Sequence, residues 1–385
     1  MSEKRELGQH FTEATGDNNP FLHPAFKLWA SRMNSTDTIL EPFAGNKDLV
    51  RLLREAGYHN NVDCFDVDPK KVDIIQRDTI ADMPSGYRFI ITNPPYISKS
   101  SATKNRNKTV KAGNSTVDYK AEFENFANIY LRSIQKCLDE AEFVAAIIPL
   151  SFINSGEFRE YLESVVSLNY ELFKDTEVPV CLALFRNWRK DQEDPTPCED
   201  FTFWTGNKPI GFFDDLDFVN QYEIDKRYGK FKKNVKGGDI GVYAFDLPET
   251  RTIKFYLGEE ISDDKVKESS RSITKININR PDVDRQTIVD IANRILEGQR
   301  NAAGDSFLTP CFGLRDDKQY RQRLTFADAE YILKMALHEY DLNNGNRTFI
   351  DDVLDELQQQ QLQIQPTFRI YASDVSEDML FPKKS

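Results

Sequence analysis

The sequence predicts a two-domain protein, in which an α/β domain built on a mostly parallel sheet is followed by a C-terminal α+β domain. Three observations carry this expectation. The first half alternates apolar, β-branched runs with amphipathic stretches, the pattern of strands joined by crossover helices. The chain has 385 residues, more than a single hydrophobic core usually serves. The polar stretch DQEDPTPCED at 191–200 contains two prolines and no apolar periodicity, and beyond it the pattern changes. The expected division is 1–190, a linker at 191–200, and 201–385.

The elements follow in order. NPFLHPAFKLWASRM (19–33) reads as a helix and TILEP (38–42) as a short strand ending on an acid. KDLVRLLREAGY (47–58) puts Leu49, Val50, Leu52, Leu53 and Ala56 on one apolar face, so a second helix is expected. The strand VDCFDVD (62–68) follows, then VDIIQRD (72–78), then RFIIT leading into NPPY. YKAEFENFANIYLRSIQKCLDE (119–140) keeps the i, i+3, i+4 rule and predicts a long helix. After it come the strand FVAAIIP, a helix near GEFREYLESVV, and two strands, YELF and VPVCLALFRNW. Past the linker, FTFW, IGFF and VYAF read as short strands, and 286–298 and 326–340 as helices.

Composition excludes several classes. The longest apolar run, FVAAIIPLSFI at 143–153, is shorter than the roughly 18 residues that a membrane span requires. Five cysteines, odd in number and without metal-ligand spacing, predict a reduced, cytoplasmic protein with no metal site. The net charge of −12 argues against a polyanionic partner until its distribution is considered. No Asp or Glu occurs between Met83 and Val117, where Lys99, Lys104, Arg106, Lys108 and Lys111 fall. A second acid-free block, KRYGKFKKNVKGG at 226–238, carries Lys230, Lys232 and Lys233 with Tyr228 and Phe231 interleaved.

The chemistry centres on NPPY. Asn93 follows a strand of an α/β domain, and ligands bind in such domains outside the carboxyl ends of strands. Pro94 and Pro95 hold the loop stiff and extended. The Asn93 side-chain oxygen and the Pro94 main-chain oxygen can then accept both N–H bonds of one planar amino group. That arrangement stabilises the nitrogen as positive charge develops on it during nucleophilic attack. Tyr96 offers an aromatic face to a planar group, as a base removed from a duplex requires. Upstream, ILEPFAGNKDLV at 39–50 is strand, acid, glycine turn, helix, and Asp66 stands at the end of the next strand, about 25 residues beyond Glu41. With no GxGxxG and no phosphate-binding Lys-Ser/Thr pair, a cofactor with an adenosine and no phosphates fits best.

These residues resemble the S-adenosylmethionine-dependent DNA methyltransferases that modify base amines, in the class ordered cofactor site, catalytic site, target-recognition domain. LGQHFTE, ILEPFAG, FDVDP and TNPPY are similar to successive motifs of that class, over about residues 7–188. The resemblance implies a Rossmann-like class I methyltransferase sheet with helices on both faces, and a C-terminal α+β target-recognition domain. It implies S-adenosyl-L-methionine as cofactor, contacted by Phe11, Thr12, Glu41, Gly45, Asp66 and Asp78. Asn93 and Pro94 would hold the target amine, Pro95 would stiffen the motif, and Tyr96 and Phe173 would stack on the flipped base. Lys99, Lys104, Arg106, Lys108, Lys111, Lys230, Lys232 and Lys233 would meet the DNA backbone. FAGNK departs from the family by placing Asn46 and Lys47 where a second glycine is usual.

The expected activity is methylation of adenine N6 in duplex DNA by a cytoplasmic monomer, in the company of a separate restriction endonuclease. An RNA base amine or a release-factor glutamine as substrate, and a non-catalytic nucleic-acid binder, remain alternatives, as does cytosine N4.

Overall fold

The computed structural model describes residues 16–97, 109–112, 115–118, 126, 128–168, 172, 178–212, 228–268, 270–303, 305, 308–317 and 319–343. The chain divides into two compact units, Met1–Lys208 with Phe368–Ser385, and Pro209–Thr367. The expected division at 191–200 lies a little earlier in the chain.

The first unit is built on a mixed sheet. Its strands are β1 (Ile39–Glu41), β2 (Val62–Asp66), β3 (Ile75–Gln76), β4 (Phe89–Thr92), β7 (Phe143–Pro149), β8 (Leu162–Ser167), β9 (Val180–Arg186) and β10 (Thr202–Thr205), in the order β10-β8-β9-β7-β4-β1-β2-β3, and β11 (Lys208–Phe212) begins at the unit's last residue before the division. The small hairpin of β5 (Thr109–Ala112) and β6 (Ser115–Asp118) stands apart. Neighbours from β7 to β3 run parallel, whereas β9 is antiparallel to both β7 and β8. The chain leaves β1 toward β2 on one side and returns as β4 on the other. The carboxyl ends of β1 and β4 therefore flank a topological switch point, where α/β sheets bind ligands.

Both faces of the sheet are covered. Ile39, Phe89, Ile91, Phe143, Ala145 and Ile147 pack with Phe26 and Trp29 of α1 (Pro24–Ala30) and Leu49, Leu52 and Leu53 of α2 (Asp48–Glu55). By the two-residue period of a strand, Leu40, Ile90, Val144, Ala146 and Ile148 point the other way, and they are buried as well. α3 (Ile129–Glu140) lies against β7, with Ile134, Cys137 and Leu138 buried.

Several expectations are corrected. The single helix expected over 19–33 is broken into a 3-10 turn, Pro20–Leu22, and α1, because Pro24 lacks the N–H that a continuous helix needs. His23 Nδ1 caps the new start by accepting from Ala25 N at 3.1 Å. The helix expected near GEFREYLESVV is a 3-10 turn, Arg159–Tyr161, followed by β8. LESVVS lies between β9 and β10, where β-branched Val165 and Val166 are buried. The antiparallel hairpin is accordingly β8 and β9, and most of YELF lies outside the described residues, as does 119–125 ahead of α3. FTFW, expected beyond the linker, is β10, parallel to β8 in the first sheet.

The 191–200 stretch is not a free linker. Arg186, at the end of β9, donates to Glu163, Asp191 and the carbonyls of Asp194 and Thr196, and it also pairs with the Asp194 carboxylate. A buried guanidinium with five donors gathers these acids and carbonyls around itself, which explains the acidic composition of the stretch.

In the second unit β12 (Lys232–Lys233), β13 (Ile240–Tyr243), β14 (Lys254–Leu257) and β15 (Ile273–Asn277) form an antiparallel sheet, ordered β12-β15-β13-β14. α4 (Arg285–Ala303) and α5 (Phe326–Asn343) bury Ile288, Ala292, Ile295, Ile332, Leu333 and Ala336 in one core with Ile240, Val242, Phe255 and Ile276. Both helices start where their caps dictate. Asp284 Oδ2 accepts from Thr287 N at 3.0 Å, and Thr325 and Asp328 form a reciprocal box ahead of α5. β16 (Thr309–Leu314) and β17 (Tyr320–Arg323) add a hairpin. Among the described residues, no helix is long and apolar enough to cross a membrane.

Candidate active site

At the end of β1, Glu41 turns inward and is 2% exposed. Its Oε1 accepts from Phe43 N at 3.2 Å and from the Thr92 hydroxyl at 3.1 Å. Its Oε2 is buried with no hydrogen-bond partner among the described residues. Burial is the main cause that pushes its pKa up to about 8, opposed by the Phe43 N–H and the Thr92 hydroxyl and reinforced by the charge of Asp66. Thr92 is the last residue of β4, so this bond ties the acid that ends β1 to the strand that delivers NPPY.

Asp66 ends β2, and its carboxylate shapes the glycine turn. Oδ2 accepts from Gly45 N and Oδ1 from Asp68 N, both at 2.8 Å. Burial raises its pKa against those two N–H bonds. Gly45 has φ of 49° and Lys47 φ of 63°, both left-handed. Lys47 thus takes the backbone that a glycine would adopt, while its Nζ pairs with Asp73 at 2.7 Å. The departure at FAGNK keeps the turn geometry at a conformational cost. Replacing Lys47 by Gly is expected to leave stability within about 1 kcal/mol of the parent, since relief of the left-handed strain offsets the added freedom of the unfolded chain. Lys47→Ile is expected to lower it by about 2 kcal/mol, because a β-branched residue tolerates this backbone least. Thermal unfolding of the two variants compares them, and equal effects would refute a strained turn.

Asp78 is placed differently from the other acids. Its Oδ1 accepts from Ile80 N and Ala81 N, both at 3.2 Å, and so closes the turn after β3. Its neighbour Thr79, which the sequence reading passed over, donates from a buried hydroxyl to Pro42 O at 2.8 Å and fastens this turn to the end of β1.

Asn93 leaves β4 half-buried and is followed by the buried Pro94. The Tyr96 hydroxyl stands 2.7 Å from Asn93 Oδ1 and 2.7 Å from Ile147 O. The Tyr96 ring meets Tyr130 of α3 edge to face at 6.3 Å, and Ile97 O accepts from Ile129 N, so the motif is anchored at the start of that helix. The structure thus brings together Glu41, Gly45, Asp66 and, through Thr92, Asn93. Thr92 was missed, although a lone hydroxyl closing the apolar strand FIIT was a legible signal.

Of the basic residues, Lys230, Lys232 and Lys233 are exposed, and Lys233 in addition pairs with Glu330 at 3.0 Å. The register explains the difference. Lys232 stands opposite Asn277, whereas Lys233 stands opposite the core residue Ile276, on the side where α5 carries Glu330. Lys111 lies in β5. Phe11, Thr12, Lys99, Lys104, Arg106, Lys108 and Phe173 lie outside the described residues.

The residues present suit a cationic, adenosine-bearing cofactor. Glu41 Oε2, unpartnered among the described residues, is an acceptor whose burial a positive charge would offset, and the Gly45 turn beside Asp66 opens at the carboxyl end of the sheet.

The chain is similar to several known proteins. The modification methylase CviBIII of Paramecium bursaria Chlorella virus NC1A is 26% identical over 262 residues, 58% of this chain. The matched region spans 66% of that relative's length. Among solved structures, a class I S-adenosylmethionine-dependent methyltransferase of Listeria monocytogenes, itself described as putative, aligns over 52% of this chain and 70% of its own, with 13% identity and a TM-score of 0.35. A type I restriction-modification methyltransferase subunit from Streptococcus thermophilus aligns over 53% and 49%, with 12% identity and a TM-score of 0.33. Residues 28–173, which hold β1 to β4, the NPPY loop, α3, β7 and β8, match the profile of the Eco57I restriction-modification methylase family.

Proposed function

We propose that this protein transfers a methyl group from S-adenosylmethionine to adenine N6 in a short duplex DNA sequence, with the target base flipped from the helix, as the modification partner of a restriction endonuclease. The observation that carries this reading is the hydrogen bond from Thr92 to Glu41, which joins the cofactor-side acid of β1 to the strand carrying Asn93 across the switch point. Bound S-adenosylmethionine supplies an electrophilic methyl on a sulfonium. Glu41 and Asp66 hold and orient that cofactor, with Asp66 keeping the Gly45 turn in shape. Asn93 Oδ1 and Pro94 O accept the two N–H bonds of the target amine, so its lone pair gains nucleophilicity as charge develops on nitrogen. Tyr96 gives the flipped base an aromatic surface. The second unit selects the sequence, with Lys230 and Lys232 among its phosphate contacts.

The test is modified-base sequencing of DNA from a methylation-free bacterial host that expresses the chain. N6-methyladenine at one short recurring site is the expected result. Asn93→Ala should lower methylation at that site by about a hundredfold or more, the usual loss for one aligned transition-state hydrogen-bond partner, with S-adenosylmethionine binding retained. Absence of any methylated DNA base, in a protein that binds the cofactor, would turn the reading toward RNA or a protein amide.

A further inference from the structure

We propose that the Tyr96 hydroxyl is a positioning group that holds the Asn93 carboxamide with Oδ1 turned toward the target amine. The inference rests on the amine methylation proposed above. An asparagine amide has two ends of nearly equal shape, so packing does not choose between them. Its hydrogen-bond partners do. Turned the right way, Asn93 offers an acceptor to the amine. Turned by half a rotation it offers N–H groups to N–H groups, and the site loses its acceptor.

The hydroxyl is well placed for this choice. Its oxygen lies 2.7 Å from Asn93 Oδ1 and 2.7 Å from Ile147 O, and it has one proton for two acceptors. Ile147 lies in the middle of β7, a strand with all seven residues buried and paired along its length with β9, so its carbonyl is a fixed reference point. The ring is held edge-on by Tyr130, and the backbone one residue later is tied to the start of α3. Before substrate arrives, the hydroxyl donates to Oδ1 and keeps that oxygen facing the site. An amide oxygen has two lone pairs, so Oδ1 accepts the amine N–H while the hydroxyl keeps its bond, and no covalent bond changes. A phenylalanine at 96 would keep the stacking surface and the Tyr130 contact while losing the positioning.

Single-turnover methyl transfer, on a duplex carrying the sequence found by modified-base sequencing and at saturating S-adenosylmethionine, tests this. Tyr96→Phe is expected to slow transfer about tenfold, the worth of one hydrogen bond. DNA affinity and the fluorescence of 2-aminopurine at the target position should stay within about twofold, since base flipping and stacking are untouched. In an Asn93→Asp background, Tyr96→Phe should change the rate less than about twofold, because a carboxylate presents an oxygen whichever way it turns. An unchanged rate in Tyr96→Phe overturns the inference. So does an equal loss in both backgrounds, or a fall of the 2-aminopurine signal in step with the rate, either of which marks a packing role. If Asn93→Asp transfers too slowly to follow, the rate and 2-aminopurine comparison on Tyr96→Phe decides alone. Full methylation by Asn93→Ala is a separate failure, which removes the reaction at this site altogether.

Discussion

Replacing Glu41 by Gln is expected to stabilise the protein above pH 8, to destabilise it modestly below pH 5, and to weaken S-adenosylmethionine binding. Glu41 sits at the end of β1 with one oxygen unpartnered among the described residues, and burial holds its pKa near 8 against an ordinary value of 4.5. The folded chain therefore keeps a proton there that the unfolded chain has released. Between pH 4.5 and about 8 the folded state binds more protons, so stability falls as pH rises, and above about 8 the full cost is present. At about 1.4 kcal/mol per pH unit the cost reaches roughly 5 kcal/mol. Glutamine does not titrate, but its amide must find a partner at a price of about 1–3 kcal/mol. The expected net gain above pH 8 is about 2–4 kcal/mol, and at pH 5, where less than about 1 kcal/mol of the carboxylate's cost is present, it reverses to a loss of about 0–2 kcal/mol. Denaturant unfolding of both chains at pH 5 and pH 8.5 measures it, and a difference independent of pH would refute the assignment. Under the proposed function the same carboxylate faces a cation, so cofactor binding near pH 7 should release a proton. Calorimetry in buffers of different ionisation enthalpy detects that release.

Asp246→Ala should destabilise the second unit by about 3–5 kcal/mol, the usual cost of removing one partner from a buried ion network. Asp246 is 0% exposed and accepts from Arg300 at 2.7 and 3.1 Å, from Arg315 at 2.8 Å, and from the backbone N–H groups of Thr252 and Ile253. Asp305 completes the cluster with Arg300 at 2.7 Å and Arg315 at 3.2 Å. The network ties the chain after β13 to the end of α4 and to the residue after β16. Truncating Asp246 leaves two buried guanidinium groups short of counter-charge and two N–H groups without an acceptor. Burial alone would raise the Asp246 pKa, but the hydrogen bonds and charge of Arg300, with the Thr252 N–H and Arg315, hold it below the ordinary range. Its contribution is therefore present above about pH 4 and lost as pH falls through the lowered value. Urea unfolding at pH 7 and pH 3 should show a large difference between parent and variant at the first and a reduced one at the second. A variant as stable as the parent at pH 7 would mean that the cluster is energetically idle.

Local signals determined much of this protein. α2, α4 and α5 lie where apolar spacing puts them, because the face a helix buries repeats within a few residues. The caps at Asp284 and Thr325 act over three residues, again within reach of a reading along the chain. The strands ending in Glu41, Asp66 and, just ahead of Asn93, Thr92 were legible for the same reason, and with them the mouth of the sheet.

Pairing across long separations was decided only by the tertiary structure. LESVVS carries a pattern that either a helix or a strand could bury, and it became β8 because β9 and β10 offered it two hydrogen-bonding edges. FTFW joined the first sheet by the same pairing, although a polar stretch precedes it. That stretch is held by Arg186, whose partners are spread from 163 to 196. Thr92 and Glu41 are 51 residues apart, as are Tyr96 and Ile147, and Asp246 and Arg315 are 69 apart. A hydrogen bond or ion pair draws its strength from the burial of both partners, and burial of both exists only once the sheet has closed around them.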